Sequence, residues 1–244
     1  MLTAVFAFAI SARDTRAEDT KLTVIIFRGV QNLAMFAAQT KGLYAKRGLA
    51  VDLKFTPNSD ELRNGLAEGR YQIAHSGVDN AFALKNKANV DIAVVAGGDN
   101  SFNHLIVQAD IKGKIVAVDA VKTAYAFQLY EMLCQKWLNK GDYEIKPLGG
   151  TGARLEAMIN DKTVVAAMLN LPFSIRAQKA GLKSVDTAAN AFGAYHGTSA
   201  FVLRARGKAN EDALVKYLQA MSKACTGRSI RRTRPKPSRY WLSG

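Results

Sequence analysis

Between Lys21 and Leu84 the chain alternates short continuous apolar runs with longer amphipathic ones, and polar residues collect where the two kinds meet. Leu22–Phe27 is an unbroken apolar run, the pattern of a parallel strand covered on both faces. It ends in Arg28-Gly29, and Gln31 and Asn32 open an amphipathic helix. A second apolar run ends at Ile73-Ala74, delivers His75-Ser76-Gly77, and gives way to Asp79-Asn80 at the next helix start. In an open parallel sheet, strand carboxyl ends and helix N-termini share one edge, and small ligands sit there. The positions of these polar residues therefore point to binding.

The alternation continues with a strand over Val90–Ala96 ending in Gly97-Gly98-Asp99-Asn100, and a short strand over Leu105–Gln108 that leaves this first block. A second block begins with a strand over Lys114–Val118 and a long helix over Thr123–Leu138, whose Phe127, Tyr130, Leu133, Cys134 and Leu138 predict one core-facing stripe. Tyr143–Pro147 predicts a strand, Leu148-Gly149-Gly150 a turn into a helix near Thr151 or Ala153, and Val164–Leu169 another buried strand. Pro172 suits the first turn of the helix that runs to Gly181. After a strand near Lys183–Val185, Thr198–Leu203 is extended and leads back towards the first block. Asn210–Ser222 reads as a helix burying Leu214, Leu218 and Met221. Two α/β blocks with a return after the second describe an α/β protein of two lobes, each a sheet flanked by helices.

Composition alters this picture at the two ends. The 244 residues suffice for two lobes with their own cores. Of the net charge of +14, six positive charges and no acid lie in Thr226–Gly244, so +8 is spread over everything before that segment. No recognition-helix, RNA-binding or zinc-finger pattern accompanies the basic residues, which argues against a nucleic-acid partner. Pro235 and Pro237 forbid a continuous helix there, and residues 226–244 read as a basic, disordered or aberrant tail. Leu2–Ile10 is apolar but too short to span a bilayer, and residues 1–20 resemble the apolar and cleavage regions of a secretory signal without its basic start. Cys134 and Cys225 have neither CxxC nor metal spacing and read as buried apolar residues.

Several segments in this order resemble one family. They are the glycine turn after the first strand, GLYAKRGLAVDL at 42–53, LAEGRYQIAHSGVDNAFAL at 66–84, KGKIVAVDAVKTAYAFQLYEML at 112–133, GGTGARLEAMINDKTVVAAMLNLPFSIRAQKAG at 149–181 and GTSAFVLRAR at 197–206. The chain is similar to the substrate-binding proteins of ABC importers for nitrate, sulfonate and taurine, and to their thiamine-pyrimidine-precursor relatives. The resemblance implies a type II periplasmic-binding-protein fold, with residues 21–100 and 198–225 in one lobe and 101–197 in the other. It further implies an exported monomer that passes a small-molecule ligand to an ABC transporter permease, without catalysis and without a cofactor or metal. Two departures from the family stand out, a short link from Gln108 to Lys114 and the basic tail in place of a longer C-terminal region.

The candidate ligand-binding residues follow from helix starts and from this resemblance. Arg28, Gln31 and Asn32 offer donors at the first strand-to-helix turn, although Gln31 and Asn32 serve equally as helix caps. Ser76 and Gly77 offer a hydroxyl and a close backbone approach, and Asp79 or Asn80 either caps the helix or faces the cleft. An inward Asp79 repels anions and favours ligands carrying amine or ring N–H donors. Thr123, Ala124 and Tyr125 open the long helix, whose free N–H groups resemble the family's contact to an acidic ligand head. Tyr125 walls the pocket or fills the rim between lobes. Thr151 and Arg154 mark another helix start, with Arg154 either a bidentate ligand contact or a solvated helix charge. Asn170 and Phe173 match the place where the family's third second-lobe loop faces the cleft. His104 and His196 read as surface or rim residues. Two further readings share the fold, an enzyme like a thiamine-pyrimidine-precursor synthase and a ligand-sensing domain.

Overall fold

The computed structural model describes residues 18–99, 102–194 and 196–226. The apolar N-terminal segment through Ala17 and the basic segment after Thr226, expected to be a signal and a disordered tail, lie outside these residues. The first block runs Thr20–Ile26 (β1), Leu33–Thr40 (α1), Leu49–Phe55 (β2), Ser59–Ala67 (α2), Ile73–Gly77 (β3), Asp79–Ala88 (α3) and Ile92–Gly97 (β4). Val24, Ile25 and Ile26 are all buried, as the continuous apolar run requires of a strand covered on both faces. A local signal starts α2: the Asn58 side chain accepts from Glu61 N–H at 2.8 Å, and Asp60 and Glu61 place negative charge in the first turn.

The second block runs Asn103–Val107 (β5), Ile115–Val118 (β6), Ala124–Cys134 (α4), Glu144–Pro147 (β7), Thr151–Asn160 (α5), Val164–Asn170 (β8), Phe173–Lys179 (α6), Lys183–Thr187 (β9) and Ala188–Phe192 (α7). The chain then returns through Thr198–Leu203 (β10), Arg204–Ala209 (α8) and Glu211–Cys225 (α9). The strands form two mixed sheets, in the orders β2-β1-β3-β10-β4 and β7-β6-β8-β5-β9. The same plan is used twice. In each sheet four strands point the same way, and one strand that has crossed from the other block inserts antiparallel to both its neighbours, β10 between β3 and β4 and β5 between β8 and β9. The two crossings join the sheets into a two-lobed α/β fold.

Successive strand residues point to opposite faces, so each sheet feeds two cores. In the first lobe Val24 and Ile26 pack with α1 and α9, while Ile25 packs with α2 and α3. In the second, Leu105 packs with α4 and Ile106 with α5 and α6. Two expected helix faces are rotated. In α4 the core stripe is Ala126, Leu129, Met132 and Leu133, while Phe127 is 55% exposed and Cys134 is also on the surface. The helix stops at Cys134 rather than Leu138, because Trp137 takes the left-handed conformation at φ 64° and Leu138 N–H turns back to Leu133 C=O. In α9 the buried stripe is Ala213, Tyr217, Ala220 and Ala224, with Leu214, Leu218 and Met221 only flanking it. Tyr217 sets that rotation by stacking on Tyr44 and donating or accepting at His75 Nε2, 2.9 Å from its hydroxyl. Cys225, like Cys134, is an exposed free thiol rather than a buried apolar residue.

Candidate functional site

Carboxyl strand ends and helix N-termini of both lobes converge on one cavity. From the first lobe it is lined by Phe27, Gln31, Ser59, Ser76, Gly77, Asp79, Asn80 and Thr198; from the second by Asp119, Thr123, Ala124, Tyr125, Thr151 and Arg154. Its free interior is small, about 20 Å³, room for about one water molecule. The walls are drawn together by hydrogen bonds that cross between lobes. Asp79 Oδ2 accepts from Ala124 N–H at 2.7 Å, and Ser59 Oγ donates to Asp119 Oδ2 at 2.9 Å. Backbone pairs Val30 N–H to Leu171 C=O at 3.1 Å and Gly150 N–H to Pro57 C=O at 2.9 Å flank them. A solute larger than water needs some of these contacts to part.

The polar lining divides into committed and less committed groups. Arg154, 1% exposed, is a structural strut: its guanidinium donates to Gly149 C=O at 2.5 Å, Met168 C=O at 3.0 Å and Thr151 Oγ1 at 3.2 Å. Burial pulls its pKa below the ordinary arginine value. Its Nε has no hydrogen-bond partner among the described residues, and its guanidinium carbon lies 5.9 Å from the Tyr125 ring centre. Thr123 caps α4, accepting from Ala126 N–H at 3.2 Å while its hydroxyl donates to Asp119 Oδ1 at 2.6 Å. Asn80 accepts from Arg63 at 2.8 Å. Burial raises the Tyr125 phenol well above its usual range, and it lifts the Asp79 carboxyl to about 6 against the pull of the Ala124 N–H.

Of the sequence candidates, Gln31, Ser76, Gly77, Asp79, Asn80, Thr123, Ala124, Tyr125, Thr151 and Arg154 lie together on the cavity wall. Four lie elsewhere. Arg28 is exposed, its guanidinium stacked 3.9 Å over the Phe55 ring. Asn32 is buried, its side-chain amide donating to Phe27 C=O. Asn170 sits one layer back, its amide 3.5 Å from Gln31 Oε1, and Phe173 is buried behind Gly152. Arg154 is neither of the things expected, a solvated charge or a free bidentate fork. Four lining residues were missed: Phe27, Ser59, Asp119 and Thr198. Asp119 was findable, since it follows the apolar run Ile115–Val118 as His75-Ser76 follows the run that ends at Ile73-Ala74.

A family model described as NMT1/THI5 like matches residues 30–227, most of the chain. The chain belongs to the NMT1/THI5-like family. No curated protein matches its sequence. Solved structures with the same fold as this NMT1/THI5-like chain include the periplasmic nitrate-binding protein NrtA from Synechocystis PCC 6803, at TM-score 0.75 and 12% identity over 85% of this chain and 61% of that one. The alkanesulfonate-binding protein SsuA from Xanthomonas axonopodis pv. citri, bound to MOPS, aligns at TM-score 0.71 and 17% identity over 85% and 74%. The ligand-binding component of an ABC-type import system from Staphylococcus aureus, with zinc bound, aligns at TM-score 0.71 and 14% identity over 84% and 73%. The three solved structures are named as binding proteins or as the ligand-binding component of an import system. Among the described residues, no group of three or more His, Cys, Asp or Glu side chains is placed to hold a metal ion.

Proposed function

We propose that this protein is the solute-binding component of an ABC importer: an exported monomer that captures a small organic solute between its lobes and presents the closed form to a membrane permease. The observation that carries the reading is the cavity itself, whose walls are strand ends and helix N-termini drawn from both sheets. Two crossings between lobes allow the lobes to part as bodies, and solute binding shifts the population towards closure. Sulfonate, nitrate and taurine-like solutes are the classes suggested by the family resemblance, and the lining's own polarity decides among them.

The enzyme reading on the same fold finds less support. Neither cysteine nor any of the three histidines is among the cavity-lining residues. His75 is buried against Tyr217, and burial pulls its pKa down to about 4, which keeps it neutral. His104 pairs with Ser184 at 3.0 Å and His196 with Ser199 at 2.6 Å. A thermal-shift screen over sulfonates, nitrate, taurine, pyrimidines, aromatic acids and amines, followed by calorimetry, tests the proposal. Saturable 1:1 binding with recovery of unchanged solute is expected; turnover of the solute, or no stabilisation by any class, overturns it.

A further inference from the structure

The N-terminus of α4 faces the cavity with backbone N–H groups that have no partner within the helix. Such an end carries partial positive charge and is a natural seat for a ligand's acid group. In this chain the seat is occupied from within. Thr123 Oγ1 takes the Ala126 N–H, and the carboxylate of Asp79, reaching across from the opposite lobe, takes the Ala124 N–H at 2.7 Å.

The approach of Asp79 depends on a bare neighbour. A Cβ at Gly77 would stand 2.4 Å from Asp79 Oδ1, and its next closest neighbour beyond that carboxylate is the Ala124 methyl at 3.8 Å. Gly77 thus leaves the carboxylate the space in which it sits. The charged groups that act on Asp79 are Asp119 of the second lobe, which opposes its ionisation, and Arg63 of α2, which favours it. Arg63 is itself committed to Asp60 at 2.5 Å and to Asn80. The cation on the cavity wall, Arg154, spends its guanidinium on three oxygen atoms and keeps only Nε unpartnered. Two carboxylates therefore face one largely committed cation. An incoming anion would have to displace a tethered carboxylate and then sit beside it.

We infer that Asp79 is a specificity-determining residue, a built-in carboxylate that holds the α4 N-terminus, bars small anions from the cavity and reserves it for uncharged or cationic organic solutes. This rests on reading the cavity as the solute site. The geometry makes Asp79 a competitor for the same N–H group that an acidic ligand head would use, so removing its charge weakens its hold on the seat and removes the repulsion together.

The test uses the full chain, its Asp79→Asn and Asp79→Ser variants, and ethanesulfonate as the anionic probe, with binding followed by calorimetry and by the Ala124 amide resonance. Both variants are expected to bind ethanesulfonate at least about tenfold more tightly than the native chain, with the Ala124 amide shifting on saturation. Asp79→Asn keeps the side-chain shape and decides the matter if Asp79→Ser does not fold. Without any ligand, the Ala124 amide shift should follow the ionisation of Asp79 in the native chain and lose that titration in Asp79→Asn, which checks that the carboxylate sits on that N–H group. Equal ethanesulfonate affinity in native and variant chains, or none in any of them, overturns the assignment. If an uncharged or cationic solute meanwhile shifts the Gly77 and Ala124 amides of the native chain, the solute-site reading stands without it; if none does, both fall.

Discussion

The two lobes share one strand order yet commit their polar groups at the cavity differently. The second lobe ties its cation, Arg154, into its own frame, while its Ala124 N–H and Asp119 carboxylate meet Asp79 and Ser59 of the first lobe. The first lobe offers acceptors, with Asp79 and Gln31 at the wall and Asn80 held by Arg63, and spends its one carboxylate there on the other lobe rather than on itself. On the proposed solute-binding reading, the shared fold sets where a ligand sits, and the side chains at equivalent strand ends set which charge is welcome. In these terms Arg154 is a strut, where the sequence offered a bidentate ligand contact or a solvated charge, and Asp79 is the proposed gatekeeper.

Arg154→Ala is the strongest way to break that comparison. It empties a buried site and leaves Gly149 C=O, Met168 C=O and Thr151 without their donor, so denaturant unfolding should show a loss of about 4 kcal/mol. A loss under about 1 kcal/mol would make Arg154 a ligand group rather than a strut. Next in size, Leu129→Ala should cost about 3 kcal/mol while Phe127→Ala stays within about 0.5 kcal/mol, since Leu129 is fully buried and Phe127 is mostly exposed. The reverse order would rotate α4 and move its N-terminus off the cavity.

The pH dependence separates Asp79 from His75. The carboxyl of Asp79 is raised from 3.8 to about 6 in the folded chain, so its contribution to stability is fully present below pH 3.8 and is lost as pH rises through about 6. His75 runs the other way: lowered from 6.5 to about 4, its contribution is present above pH 6.5 and is lost as pH falls through about 4. The two slopes oppose each other across the same window in the native chain. Asp79→Asn should therefore unmask a stability that climbs from pH 4 to pH 6.5, read by thermal melts at fixed ionic strength, and should gain on the native chain most at pH 7. Smallest of all, Arg28→Ala should leave solute affinity unchanged in calorimetry, because Arg28 stacks on Phe55 away from the cavity.

Much of this arrangement was legible in the sequence. Apolar runs of strand length located the parallel strands, and the polar residues just after them located most of the cavity wall, because strand ends and helix starts must share an edge. What failed depended on partners distant in sequence. Arg28 has the right position after β1, but Phe55 at the end of the neighbouring strand captures its guanidinium. Arg154 could not be known as a strut without Met168 C=O on β8 beside it. The α4 sequence carries two overlapping stripes at helical spacing, and only the packed sheet selects Ala126, Leu129 and Leu133 over Phe127, Tyr130 and Cys134. The cysteines were misplaced for the same reason.

The central claim is that one cavity, built from both lobes, takes the solute. The direct measurement is a chemical-shift map of backbone amides during titration with the strongest hit of the thermal-shift screen. Ser76 and Gly77 in the first lobe and Ala124 and Thr151 in the second are expected to move together, with one shared dissociation constant. Shifts confined to one lobe, or centred on the outer groove lined by Arg63, Lys87 and Lys122, would contradict it.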